Sequence, residues 1–308
     1  MFNRHSGIAL IQVLLVAAIL AVLVMSYSKK SIQAMDLAQQ AVTRSEALMA
    51  LQQAESKVLL GLLTEQENAA VVTGVFNRYS EPFSVATQVQ SGAELTDTAL
   101  PVEVKVEIQD LAGLFLLAPF GSGQLPELLT QFGYSKNQAK SIALAMDDWQ
   151  DPDTQTRTGG AEQAAYNKSK DQQAIQVRNA PFQTENELGY VKGMDGYMPP
   201  GLARVITFYP SGHFNPMTAP AEVLALYVSD KSRLNEVIKL RQQHKLSSED
   251  LIRLTGIETS DTILLNHGNG SRITLTFNKA PHSLSIQKEW LLSPYEQQPI
   301  TLWSVKRN

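Results

Sequence analysis

The sequence predicts an α+β protein. A long N-terminal helix packs on an antiparallel sheet, and a large all-α subdomain is inserted between strands of that sheet. Three observations carry this expectation. An uncharged run from Ile8 to Tyr27 flows into a segment that meets no proline, and no glycine before Gly61. One segment, VEVKVEI at 102–108, alternates strictly, and three further β-rich segments lie near the C-terminus. Between these two β regions the apolar spacing is helical.

The N-terminal run is long enough to span a bilayer, since twenty helical residues cover ~30 Å. Its continuation, Ser31 to Leu63, is rich in Ala, Gln, Leu and Glu, which are good helix formers. Ile32, Met35, Ala38 and Val42 recur at steps of three or four, as do Leu48, Leu51, Ala54 and Val58. That spacing marks an apolar stripe on one helix face. Arg4 precedes the span and Lys29 and Lys30 follow it, so flanking charge does not fix its orientation. A secretory signal peptide, a plain anchor and a processed leader ending at Gly7 all fit these residues.

Strands follow. Val71–Phe76 and Phe83–Val89 are short β-rich pieces. In 102–108, Val102, Val104, Val106 and Ile108 face one side and Glu103, Lys105 and Glu107 the other, as a half-buried strand requires. Arg272–Phe277, Ser283–Leu291 and Ile300–Val305 complete the sheet. The helical middle consists of Leu125–Phe132, Lys136–Trp149, Glu185–Val191, Ala219–Val228, Arg233–Gln243 and Ser248–Leu254. Within it, Phe182–Gly193 and Leu246–Gly256 form a weak repeat: a Ser/Thr cap, acids in the first turn, an apolar face and a terminal glycine. The stretch from Asn215 through Gly256 has the look of helix-hairpin-helix units, although the hairpin after Leu226 lacks glycines. Packing is the simpler reading of that stretch.

Composition narrows function. The 308 residues are 44% hydrophobic and 18% charged, with a formal net charge of −4, so no broadly basic surface for nucleic acid is indicated. No cysteine is present, which excludes disulfides, thiolate catalysis and cysteine-bound zinc. The five histidines are scattered, and no HExxH, GxSxG, Walker A or GxGxxG pattern occurs. Trp149, Trp290 and Trp303 read as packing residues, and Gly268-Asn269-Gly270 as a loop or turn.

The most chemically pointed segment is DDWQDPDTQTRTGGAE, Asp147 to Glu162. Carboxylates and amide oxygens from one loop suit Ca²⁺, which takes six to eight oxygen ligands. With Asp151 at position 1, Asp153 falls at 3, Gln155 at 5, the Arg157 carbonyl at 7 and Glu162 at 12. That is EF-hand spacing, but Thr156 replaces the turn glycine and Pro152 is atypical. The expectation is an oxygen-rich loop that Ca²⁺ orders, not an EF-hand. A solvated acidic turn is the bland alternative, and no nearby nucleophile supports a catalytic one.

A short polar leader ending in Gly7 before an apolar helix resembles the class III leader of type IV pilins and pseudopilins. The resemblance implies cleavage after Gly7 by a membrane prepilin peptidase and methylation of the new N-terminus, Ile8. Such proteins usually carry Glu at the fifth mature position; here it is Gln12. More specific segments are DWQDPD at 148–153, GGAE at 159–162 with Tyr166, Glu187-Leu188 with Val191-Lys192-Gly193, and NPMTAPAEVL at 215–224. With these the chain resembles the K-type minor pseudopilin of bacterial type II secretion systems. Met217 stands where that family usually has a second Asn.

The resemblance implies a domain plan: leader 1–7, membrane and filament-core helix 8–27, amphipathic helix and first strands 28–110, helical insert 111–257, closing strands 258–308. It implies a single-pass inner-membrane protein with its globular part in the periplasm, at the tip of the pseudopilus. A subunit without the fifth-position charge need not dock beneath another subunit's N-terminal ammonium. The implied partners are the I- and J-type minor pseudopilins, the prepilin peptidase and other inner-membrane secretion components, with no nucleic acid. The implied cofactor is Ca²⁺, held by Asp151, Asp153 and Glu162, with Asp148 and Gln155 as secondary candidates. A DNA-binding minor pilin using the hairpin units and a membrane-anchored hydrolase using the acidic loop stay open at this point.

Overall fold

The computed structural model describes residues 6–64, 77–89, 100–118, 122–167, 175–194, 196–279 and 282–307. The expected strand Val71–Phe76 lies outside these residues. The chain divides into two compact units. One comprises Met1–Ser56, Val85–Val104 and Thr276–Leu284; the other comprises Lys57–Ser84, Lys105–Leu275 and Ser285–Asn308.

Helix α1 runs unbroken from Ser6 to Thr64, because nothing in its sequence stops it. From Leu10 to Met25 its large apolar side chains are 52–70% exposed, and its hydropathy and length suffice to cross a membrane. Within the first unit, the helix buries Thr43, Glu46, Ala47, Ala50, Leu51 and Ala54. The stripe differs in detail from the expected one. Leu48 lies outside the contact and alanines form its floor, since small side chains let the backbone approach closely. Ile32 and Met35 are exposed. Glu46 accepts from Lys279 Nζ at 2.9 Å. The Gln53 amide bonds both backbone groups of Gln88: Nε2 donates to the carbonyl at 2.8 Å, and Oε1 accepts from the N–H at 3.1 Å.

The strands are β1 (Phe83–Val89), β2 (Leu100–Asp110), β5 (Gly270–Lys279), β6 (His282–Leu292) and β7 (Ile300–Arg307). They form one sheet in the order β1-β2-β5-β6-β7. Strands β6 and β7 are antiparallel, pairing Leu292 with Ile300 and Lys288 with Val305, with a bulge between Glu289 and Trp290. The alternation of 102–108 is realised: Val104, Val106 and Ile108 are fully buried.

The insert occupies the chain between β2 and β5. Its helices are α2 (Leu125–Gln131), α3 (Lys136–Gln150), α4 (Gln163–Tyr166), α5 (Glu185–Leu188), α6 (Leu202–Val205), α7 (Ala221–Leu224), α8 (Lys231–Gln242) and α9 (Ser248–Thr255). It also holds a two-residue parallel ladder, β3 (Phe115–Leu116) with β4 (Ile206–Thr207), too short for any periodicity to announce. Two expected helices are truncated. Gly189 sits at the C-cap of α5, and Pro220 at the N-cap of α7. Thr184 makes no capping bond, whereas Ser247 accepts from the Asp250 N–H at 3.0 Å. Residues expected with the C-terminal strands side instead with the insert: the Phe214 N–H donates to the Thr262 carbonyl at 2.8 Å, and the Leu264 N–H to the Phe214 carbonyl at 3.1 Å.

Two buried polar clusters tie the insert to the strands within the second unit. Asp110, at the end of β2, accepts four hydrogen bonds: Ala112 N–H at 2.9 Å, Asn215 Nδ2 at 2.9 Å, Thr218 Oγ1 at 2.9 Å and Gly268 N–H at 3.2 Å. Met217 is buried, and its N–H donates to Asn215 Oδ1 at 3.0 Å, so the departure at this position leaves the turn intact. Arg272 on β5 donates through Nε to Glu289 Oε1 at 2.8 Å, with Nη2 2.6 Å from the same oxygen. Its Nη1 and Nη2 also donate to the carbonyls of Ala203 and Ile206, at 2.9 and 2.8 Å. Glu289 Oε2 accepts from Ser304 Oγ at 2.9 Å.

Candidate metal centre

The acidic loop leaves the C-terminus of α3. That helix starts in a capping box at Ser135 and Gln138 and buries Ala139, Ile142, Ala143, Met146 and Trp149. The same face carries Asp148 and then Asp151 inward; Asp148 is fully buried and Asp151 is 1% exposed. No basic residue sits in the last turn of α3, so its carboxylates lie at the negative end of the helix dipole without help from it. Pro152 follows the C-cap Asp151 and ends the helix.

The loop then folds back. Gln155 N–H donates to Asp153 Oδ1 at 2.8 Å, a local turn that leaves the Gln155 side chain exposed. Arg157 N–H points at both Asp148 oxygens, at 3.3 and 3.2 Å. Its Nη1 donates to Asp148 Oδ1 at 2.7 Å and also to Asp151 Oδ2. Gly159 has φ +95°, and Gly160 N–H donates to the Arg157 carbonyl at 2.8 Å. A Cβ on Gly160 would lie 2.1 Å from Asp148 Oδ2, so only glycine fits there. Glu162, 4% exposed, caps α4, its Oε2 accepting from Gln163 N–H at 3.3 Å.

This fold-back brings Asp151, Asp153 and Glu162 together, with an oxygen of each within 4.8 Å of the others. These are the three residues that the sequence singles out first. Asp148 lies beside the group but is engaged by Arg157, and Gln155 contributes its backbone to the turn. Asp151 Oδ1 and Glu162 Oε1 are buried and, among the described residues, have no hydrogen-bond partner. Burial, reinforced by Asp148, Asp151 and Asp153, pushes Glu162 above its ordinary range. Asp148 and Asp151, by bonding, hold the Arg157 guanidinium more firmly protonated than usual. Two buried carboxylate oxygens without donors, plus a third carboxylate in reach, fit a hard divalent cation. Behind the loop, Trp149 stacks on Phe182 and meets Tyr166 edge-on. Tyr166 Oη accepts from Lys192 N–H at 3.1 Å, and Gly193, φ +93°, lies against Ile142.

Sequence reasoning did not single out Asp110 or Arg272. Asp110 ends an alternating strand whose other acids face solvent, so nothing in the pattern separates it from them. Arg272 opens a strand segment and reads as an ordinary exposed cation. The hairpin units show their role by burial: Val237, Leu246 and Leu251 are core, and Arg241 turns inward onto the carbonyls of Ala219 and Pro216, at 2.7 and 3.1 Å.

A helix long and apolar enough to cross a membrane, a five-stranded sheet and a helical insert make up this α+β fold. Residues 116–211, the heart of the insert, match the family model described as type II secretion system (T2SS), protein K. The matched stretch, about a third of the chain, is therefore similar to protein K of type II secretion systems. Its fold is similar to that of a chain in the crystal structure of the GspK-GspI-GspJ complex from the enterotoxigenic Escherichia coli type 2 secretion system. The TM-score is 0.58 at 15% identity, over 90% of this chain and 99% of that one. No curated protein matches the sequence.

Proposed function

We propose that this chain is a K-type minor pseudopilin that caps the pseudopilus tip and, with I- and J-type partners, initiates its assembly for export of folded proteins across the outer membrane. The observation that carries the reading is the insert of some 150 residues between β2 and β5, of which residues 116–211 match the protein K family model. Such a mass on one subunit favours a terminal place, with no other subunit stacked above it. Gln12 supports the same position, since an amide in the span makes no demand for a charged partner in lipid. The polar leader before the span supports cleavage after Gly7 and methylation of Ile8, with the anchor in the inner membrane and the globular units in the periplasm. Gly7 and Ile8 lie in the first turns of α1.

Calcium belongs to this reading. Asp151, Asp153 and Glu162 would hold it, and Ca²⁺ would add to the single guanidinium charge at the C-terminal end of α3. Its role is structural, fastening the loop between α3 and α4.

The test is co-expression of the full chain with the I- and J-type pseudopilins and a prepilin peptidase, followed by purification in detergent and intact mass. The expected product is a ternary complex in which this chain begins at N-methyl-Ile8. A monomer that never joins the partners refutes the tip reading, and an intact Met1 refutes processing.

A further inference from the structure

The acidic loop already carries a cation of its own. The Arg157 guanidinium bridges Asp148 and Asp151, two carboxylates that are almost wholly buried. The backbone N–H of the same residue is fixed on Asp148. The root of the side chain is therefore anchored, while its end can swing, and the side chain is 30% exposed. Asp151 serves two groups: its Oδ2 meets Arg157, its Oδ1 is buried without a donor, and one of its oxygens lies within 4.8 Å of oxygens of Asp153 and Glu162. One carboxylate thus belongs both to the arginine and to the metal ligands.

We infer that Arg157 is a tethered counter-cation that competes with Ca²⁺ for Asp151, holding the loop together without metal and setting how tightly metal binds. This rests on the calcium reading above. A divalent ion at Asp151 must coexist with, or displace, a guanidinium a few ångströms away, and like charges at that range repel strongly in a partly desolvated site. The displaced guanidinium keeps its bond to Asp148 or moves into solvent, so exchange needs only side-chain rotation. Without Arg157, Asp148 and Asp151 would lose the guanidinium that bridges them, beside the carboxylates of Asp153 and Glu162.

Calcium titration by calorimetry on the full chain in detergent, with melting in EGTA and in excess Ca²⁺, tests the inference. The proteins are wild type, Arg157→Gln, Arg157→Lys and Asp153→Asn. Arg157→Gln is expected to bind Ca²⁺ at least about tenfold more tightly than wild type. Its melting temperature in EGTA should fall by about 3–6 °C, and the gap should close in Ca²⁺. Arg157→Lys, which keeps a charge but loses the fork, should lie between. A Gln variant that folds only with Ca²⁺, or one that binds where wild type does not, supports the competition in its extreme form. Unchanged or weaker binding by Arg157→Gln, with wild type binding and Asp153→Asn impaired, overturns the role of Arg157 and leaves the calcium site standing. No binding by either wild type or Arg157→Gln removes the site and the inference together.

Discussion

Arg272→Met should be among the most damaging single changes in the second unit. The substitution keeps the stem but deletes a guanidinium that reaches Glu289 through Nε and Nη2, and the carbonyls of Ala203 and Ile206 through Nη1 and Nη2. Glu289 would remain buried with Ser304 Oγ as its remaining hydrogen-bond donor. Breaking one side of a buried ion pair costs about 3–5 kcal/mol. Each carbonyl that loses its donor adds about 1 kcal/mol. The sum, about 5–7 kcal/mol, rivals the whole stability of a typical domain. The double variant Arg272→Met, Glu289→Leu removes the stranded charge and should recover about 2–3 kcal/mol, because the pair is coupled. Urea unfolding of the full chain in detergent, followed by tryptophan fluorescence, reads both, since all three tryptophans lie between residues 149 and 303. The single variant should lower the midpoint by about 2 M or more. A shift under about 0.5 M, or a double variant no more stable than the single, refutes the view that this pair joins sheet to insert.

Other expectations are narrower. Asp151→Asn should abolish the rise in melting temperature given by Ca²⁺ over EGTA, which for wild type at a hundredfold excess over Kd corresponds to about 2.7 kcal/mol. A retained shift places the ion elsewhere. Gly160→Ala drives a methyl into Asp148 Oδ2 and should cost about 2 kcal/mol or more, seen as a lower melting temperature in Ca²⁺ and in EGTA alike. Asp250 is held below its usual range by Arg253, then by Ser247. A depressed acid contributes stability that is present above its ordinary value and lost as pH falls through the lowered one. Asp250→Asn should therefore flatten the acid limb of amide-exchange protection in α9, and an unchanged limb would assign that protection to other groups.

Much of the architecture is legible in the sequence because it rests on long, periodic signals. The uninterrupted α1, the alternation ending at Ile108 and the run of helices in the insert are of this kind. Boundaries set by one residue are less legible. Gly189 ends α5 early and Pro220 delays the start of α7, and α7 stops at Leu224 although the apolar spacing continues to Val228. The grouping of Asp151, Asp153 and Glu162 was readable because carboxylate spacing in a loop is local. Arg157 was not, since a side chain's direction depends on the fold-back that Gly159 and Gly160 permit. Asp110 and Arg272 were invisible for a related reason: most of their partners, Asn215, Thr218 and Gly268 for the one and Ala203 and Ile206 for the other, lie more than 60 residues away in sequence.

The clasp between Gln53 and Gln88 bears on how the edge of the sheet is closed. An outermost strand offers its peptide groups to any passing chain, and β1 is outermost. At Gln88 a helix side chain supplies the amide donor and acceptor that a neighbouring strand would bring, in the same pairwise pattern. The strand is answered there by an imitation peptide that cannot be extended. A further strand docking at this residue finds its hydrogen bonds already taken.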